Sequence, residues 1–409
     1  MNQVKHYDMQ KKPLKEKFFL TPIAFLLSFP SIWSRHLKVN KVNMKGLKPP
    51  YILLCTHHAF IDFKVTTRAV FPHRPNYIVA IDGFIKREWL LRNVGAICKR
   101  KFTNDTQLFK HIKYSLEKLK NIVAIYPEAR YSLIGTTAIL PDSLGKMVKV
   151  LNKPVAVLNM HGNYLTQPVW NLEMRKVPLK ADLTQIITQE EASLLSVDEI
   201  NSRIQKAFVY DEYQWQKDNQ IKIDFANRAK GLYQVLYQCP SCLKEHVMDS
   251  DRDRIWCTSC GKTYHMDVFG ELHAKEGITE FPHIPDWYEF ERENVRKEIE
   301  SGTYYFEDDV IIDSLPNSDG YIRLGEGKLI HDHTGFKLVG PELELNKTPL
   351  SMYGLHVEYD YFGKGDCIDL STLDDTYYLY PIHQKNVVTK LHFATEEIYK
   401  IEIEKIKKT

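Results

Sequence analysis

At 409 residues the chain is long enough for roughly two to four domains, each with a hydrophobic core. Its 44% apolar and 26% charged residues, with no low-complexity tract, exclude a disordered or fibrous protein. The net charge of +3 points to no particular partner, but its distribution does.

The first fifty residues hold ten lysine and arginine side chains against Asp8 and Glu16, a net +8 that leaves −5 for the remainder. Within them, Phe18 to Trp33 (FFLTPIAFLLSFPSIW) runs sixteen residues without a charge. Crossing a bilayer takes about 20 apolar residues, and Pro22 and Pro30 interrupt this run. Short length and cationic flanks predict an interfacial or re-entrant element facing anionic headgroups. No small-residue cleavage site follows, so the run reads as part of the protein rather than a leader.

From Pro50 onward, short apolar runs alternate with amphipathic stretches. Tyr51–Cys55, Tyr77–Ile81, Ile122–Tyr126 and Val155–Asn159 read as buried strands. Asp105–Lys120 has helical spacing behind Asn104 or Asp105 as a cap, and Ser196-Val-Asp-Glu opens a further helix to Ala207 in capping-box style. Helical character is expected to continue towards Tyr237. Strand and helix in alternation imply an α/β layer domain. After Trp287–Ser301, read as a helix, come many short β-type runs between 303 and 380, separated by turns such as Asn317-Ser-Asp-Gly320 and Gly363-Lys-Gly365. Val387–Ile401 predicts a closing helix.

Cys55-Thr-His57-His58-Ala-Phe-Ile-Asp62 falls where a buried strand ends and a helix could begin. Five residues apart is poor spacing on one helix face, but across such a junction Asp62 reaches back to His57. A carboxylate there sets the imidazole tautomer, while the other ring nitrogen takes a proton from a hydroxyl. Gly95-Ala-Ile-Cys-Lys-Arg100, Tyr126-Pro-Glu-Ala-Arg-Tyr-Ser132 and Lys153-Pro-Val-Ala156 follow.

In order and spacing these four blocks resemble the glycerolphosphate and lysophospholipid acyltransferase family, over about residues 15–215. The resemblance implies His57 as general base and Asp62 as its orienting partner. It implies Arg100 on an acceptor phosphate, with Glu128 binding or positioning the acceptor and Arg130 close by. It also implies an acyl thioester donor, acyl-CoA or acyl-ACP. Two departures bear on the acceptor. Thr56 and Ala59 replace the family's Asn and Ser, and Ala129-Arg130-Tyr131 stands for its Gly-Thr-Arg. The leading acceptor is 1-acyl-glycerol 3-phosphate, with an uncharged or larger-headgroup lysolipid as the other choice. His57-His58-x3-Asp62 also matches the HHxxxD signature of condensation-type acyltransferases, whose base is the second histidine.

Cys239-x2-Cys242, fourteen residues, then Cys257-x2-Cys260 is zinc-ribbon spacing. Four thiolates leave no open position, so the zinc is structural. Seven cysteines, an odd number with paired spacing, favour a reducing compartment over a disulfide framework. Acidic residues between the knuckles (Glu245, Asp249, Asp251, Asp253) argue against nucleic acid as partner. The expected architecture is a basic, apolar membrane arm (1–48), an α/β acyltransferase domain (49–236), a zinc ribbon (237–268) and a β-rich C-terminal domain (269–409) with a pleckstrin-homology-like order of elements. The expected setting is the cytoplasmic face of a membrane, peripheral or monotopic. The rival is a zinc-ribbon binding or scaffold module carrying an inactive acyltransferase-like domain.

Overall fold

A computed structural model describes residues 4–408. Its first sheet has seven strands: β1 (Lys38–Val42), β2 (Ile52–Cys55), β3 (Asn76–Ala80), β4 (Ala96–Lys99), β5 (Val123–Ile125), β6 (Val155–His161) and β7 (Lys180–Ile187). Their order is β1-β7-β6-β2-β5-β3-β4, parallel throughout except for the β6/β7 pair. Side chains alternate across a strand, so the wholly buried β2 feeds two cores. Leu53 and Cys55 pack under the helices Leu20–Trp33 and Asp62–Ala69. Ile52 and Leu54 meet the helices Thr106–Glu117, Ser143–Leu151 and Val197–Ala207 on the other face. The sheet is mixed α/β, and β2 at its centre ends at the histidine pair.

Local signals place several boundaries. The Asp105 carboxylate accepts from the Gln107 and Leu108 amides, and Ser196 forms a reciprocal capping box with Glu199. β1 and β7 mix polar residues among the apolar ones and β4 is only four residues long, so pairing with neighbours rather than a buried apolar run holds them as strands. The helix expected towards Tyr237 is only Glu212–Asp218 and a short turn at Leu232–Gln234.

The apolar run near the N-terminus forms one continuous helix, Leu20–Trp33, despite its prolines. Pro22 lies in the first turn, where backbone amides have no partner anyway, and Pro30 comes near the end. Fourteen residues rise only about 21 Å, short of a roughly 30 Å hydrocarbon layer. Among the described residues no helix is long and apolar enough to cross a membrane. Ile32 is buried on the sheet, while Leu26 (72% exposed), Trp33 (62%) and the preceding Phe18 (85%) face outward. The chain before this helix is tied down: the Asn76 amide donates to the Leu14 carbonyl (2.7 Å), and Arg74 pairs with Glu16 (2.6 Å).

A four-stranded antiparallel sheet, β8 (Met248–Asp251), β9 (Arg254–Cys257), β10 (Thr263–Met266) and β11 (Leu272–Ala274), carries the paired cysteines. The helix Ile284–Glu300 leads to a seven-stranded antiparallel sheet. Its strands are β12 (Phe306–Ser314), β13 (Ile322–Asp332), β14 (Gly335–Gly340), β15 (Leu343–Lys347), β16 (His356–Glu358), β17 (Cys367–Ser371) and β18 (Thr376–Pro381), ordered β15-β14-β13-β12-β18-β17-β16. The helix Val388–Lys408 closes the chain. One hydrophobic core runs from Tyr164 and Trp170, through Tyr264 and Met266 of the cysteine-bearing sheet, to Trp287, Val310 and Phe393. The later segments also meet the first sheet, where Ala96 and Cys98 of β4 pack with Leu315, Cys367 and Tyr378.

Candidate active site

Where β2 ends, Thr56 accepts from the Met160 amide (3.1 Å) and the chain turns into the loop 57–61. Asp62, the first residue of the following helix, points back into that loop and is fully buried. Its Oδ2 accepts from the backbone amides of His58 (2.7 Å) and Ala59 (3.1 Å) and lies 3.0 Å from His57 Nδ1. Its Oδ1 accepts from the Asn163 side-chain amide at 2.7 Å. So many donors at a helix N-terminus fix this carboxylate in place. His57 therefore carries its proton on Nδ1, and Nε2 has no hydrogen-bond partner among the described residues.

His57 borders a cavity of about 990 Å³ with mostly apolar walls, and its side chain is 14% exposed. Its ring lies between Tyr126 (4.4 Å between centroids) and Tyr131 (4.3 Å). Leu20, Ile23 and Leu27 of the exposed apolar helix form part of the cavity wall. His58 is different. It is fully buried, neither ring nitrogen has a partner among the described residues, and burial lowers its pKa, so it is a neutral core imidazole out of a substrate's reach. The HHxxxD reading fails on that placement.

Glu128 is buried behind the loop rather than open to an acceptor. One oxygen accepts from the His57 amide (3.3 Å) and the other from the Tyr210 hydroxyl (2.9 Å). It positions the histidine loop. Burial pushes its pKa up to about 8, against the pull of Tyr210 and Arg130. A raised carboxyl pKa favours the fold below the ordinary carboxylate range, and that contribution is lost as pH rises through 8. Between about pH 5 and 8, wild-type unfolding free energy should fall by about 2–4 kcal/mol relative to Glu128→Gln, at about 1.4 kcal/mol per pKa unit. Denaturant titrations of both proteins across that range measure it; parallel pH curves would refute it.

Both expected phosphate ligands are buried in other bonds, Arg100 away from the cavity and Arg130 at its border. Arg100 is buried and donates to the carbonyls of Leu315 (2.8 Å), Pro316 (2.8 Å) and Asp374 (2.7 Å) and to the Thr376 hydroxyl (3.0 Å). It joins β4 to the ends of β12 and β18. Arg130 pairs with Glu396 of the closing helix at 2.9 Å and contacts His392 at 3.2 Å. Burial disfavours charge on Glu396, but His392, Arg292 and Arg130 around it more than reverse that. The physical reason for Arg100 is strand alternation: Cys98 packs toward the C-terminal sheet, and Arg100, two residues on, follows it. Lys99 and Lys101 border the cavity instead. The same alternation, read from Ile97, places them on the opposite face from Cys98 and Arg100.

The third block also has a geometric answer. Ala129 has φ +58°, the left-handed conformation that glycine adopts freely, so the turn survives the loss of glycine. Tyr131, two residues on, lies against His57 at a tilt of 48°, with ring centroids 4.3 Å apart.

The four ribbon cysteines lie together, with all Sγ atoms within 4.8 Å of one another and the Cys239–Cys260 and Cys242–Cys257 pairs at 3.7 Å. Tetrahedral thiolates at a Zn–S distance of about 2.3 Å stand roughly 3.8 Å apart, so the set could hold a metal ion such as zinc. Gly261 after the second pair takes φ +79°. Leu243 takes φ +63° at the matching position of the first.

No known family signature and no curated protein sequence matches the chain. Among solved structures the chain is similar to the 1-acyl-sn-glycerophosphate (LPA) acyltransferase of Thermotoga maritima, at 11% identity and a TM-score of 0.36, over 46% of this chain and 78% of that one.

Proposed function

We propose that the protein is an acyltransferase that moves a fatty acyl group from acyl-CoA or acyl-ACP to the hydroxyl of a lysolipid at a membrane surface. The observation that carries this reading is the His57–Asp62 pair, with Nδ1 3.0 Å from the carboxylate and His57 bordering a large, mostly apolar cavity. Nε2 of His57 takes the hydroxyl proton as the acceptor oxygen attacks the thioester carbonyl. The tetrahedral intermediate collapses with cleavage of the C–S bond, and the imidazolium returns its proton to the thiolate that leaves. Asp62 stabilises the imidazolium throughout. Of the two arginines expected at an acceptor phosphate, Arg100 is taken up by carbonyls of the C-terminal sheet, while Arg130 pairs with Glu396 and still borders the cavity.

The helix Leu20–Trp33 supports a peripheral or monotopic setting on the cytoplasmic face: it walls the cavity and turns Leu26 and Trp33 outward. All seven cysteines are free, which fits a reducing compartment. Seven strands followed by the closing helix support the pleckstrin-homology-like reading of the C-terminal part.

Incubation of the purified protein with a panel of lysolipids and acyl thioesters, with products read by mass spectrometry, tests the activity. Absence of any product from correctly folded protein would favour the binding-module reading. For the membrane, Leu26→Glu with Trp33→Glu should reduce flotation with anionic vesicles more than tenfold and leave the unfolding midpoint unchanged. Each side chain contributes about 1.5–3 kcal/mol when buried in an apolar phase. Undiminished flotation would place the membrane contact elsewhere.

A further inference from the structure

The Asp62 carboxylate is held at both of its oxygens, and the two ends are held differently. Oδ2 takes its donors, His57 Nδ1 and the amides of His58 and Ala59, from within five residues of Asp62 itself. Oδ1 takes one donor among the described residues, the side-chain amide of Asn163 at 2.7 Å, 101 residues further along the chain. Asn163 is fully buried, and its own Oδ1 has no partner among the described residues. Its nitrogen otherwise meets only the Met160 sulfur, at 3.5 Å. Turned the other way, the amide would set two acceptor oxygens against each other, so its nitrogen faces Asp62. An unpartnered buried carbonyl oxygen costs about 1–3 kcal/mol. Position 163 carries that cost and gives Asp62 Oδ1 its donor.

The fold delivers that amide from a neighbouring strand. β6 pairs in parallel with β2, Leu158 against Cys55, and continues beyond the end of β2 as far as His161. The chain then turns at Gly162, where φ is +83° and a Cβ would stand 2.3 Å from the Pro178 carbonyl oxygen, so glycine alone fits. The Gly162 amide donates to the buried Glu212 at 2.6 Å, and the other Glu212 oxygen lies 2.9 Å from His161 Nδ1. The Thr166 hydroxyl donates to the Gly162 carbonyl at 2.9 Å. Bonds at both backbone polar groups of Gly162 pin the turn, and Asn163 follows it directly.

The torsion that turns a carboxylate plane is broad, so donors at one oxygen alone leave the plane free to swing. A donor at the second oxygen fixes the plane and, with it, the line along which Oδ2 meets the His57 Nδ1 proton. We infer that Asn163 is a positioning residue of the His57 site, whose amide fixes the Asp62 carboxylate and through it the tautomer and aim of the imidazole. This rests on the acyl-transfer reading above and deepens it. Asn163 acts through Asp62, since it is fully buried and its amide bonds to the carboxylate rather than to the base.

The test uses full-length protein with Asn163→Leu, which nearly keeps the volume and removes the amide, and with Asn163→Ala as a second variant. Both should lower kcat about ten- to a hundredfold, the scale of a misaimed catalytic group, while KM for donor and acceptor stays within about twofold. Nitrogen-15 NMR of histidine-labelled protein reads the tautomer directly, with the His57 signals identified by their loss in His57→Ala. Wild-type His57 should show a protonated Nδ1 and a bare Nε2, and both variants a mixture of the two tautomers. Asp62→Ala should also give a mixture, and adding Asn163→Leu to it should change the His57 signals no further. Wild-type kcat in both variants, or an unchanged His57 spectrum in them, would overturn the inference. So would a further change in the double variant. The spectra need no turnover, so a wild type that forms no product from any lysolipid counts against the acyl-transfer reading alone.

Discussion

His57→Ala should lower kcat/KM for acyl transfer by about a hundred- to ten-thousand-fold, the usual contribution of a positioned general base. The fold should tolerate the change, because the loop is held through backbone amides to Asp62 and Glu128 rather than through the imidazole alone. Asp62→Asn should be costly in a different way. It weakens the acceptor of three donors at Oδ2 and frees the histidine tautomer, so activity and stability fall together. His58→Ala is the control that separates the two histidines. It opens a cavity beside Tyr210 and lowers stability, yet should keep kcat/KM within about tenfold of wild type, since His58 does not reach the cavity. Kinetics of the three variants, alongside their unfolding curves, settle the order. Loss of activity on His58→Ala with retention on His57→Ala would reverse the assignment of the base.

Removing the metal should have the largest effect on stability. Purified protein should contain one zinc per chain by elemental analysis. Cys239→Ser with Cys257→Ser should lose it and lower the unfolding midpoint by more than about 10 °C. Structural zinc sites contribute roughly 10–16 kcal/mol of apparent folding free energy, comparable to the whole stability of a typical domain. The effect should spread beyond the ribbon. Cys239 and Cys257 lie in the same core as Trp287, Phe306 and Tyr164, and the Trp287 indole donates to the Gln238 carbonyl at 2.9 Å beside the first knuckle. Chelation should therefore also reduce acyl transfer, because the part of the cavity wall carrying His356 and Glu358 loses its support. A chelated protein that melts at the wild-type temperature would show that the four thiols are not a structural metal site.

Much of the local structure and half of the candidate site follow from short-range patterns in the chain. The buried run Tyr51–Cys55, the caps at Asp105 and Ser196, and the reach of Asp62 to His57 all lie within a few residues of the groups they organise, where spacing alone constrains geometry. The paired cysteines are of the same kind: each knuckle is local, and only the meeting of the two depends on the fold. Tertiary structure decided which charged groups face the substrate. Arg100 and Arg130 have the chemistry of phosphate ligands, but their partners lie more than two hundred residues away, at Leu315, Asp374 and Glu396. His356 and Glu358 reach the cavity only because the last sheet packs against the first. A guanidinium side chain is the same in sequence whether it meets a ligand or a carbonyl. Only packing determines which partner it meets, because burying it unpaired would cost several kcal/mol and the fold must supply the compensating acceptors.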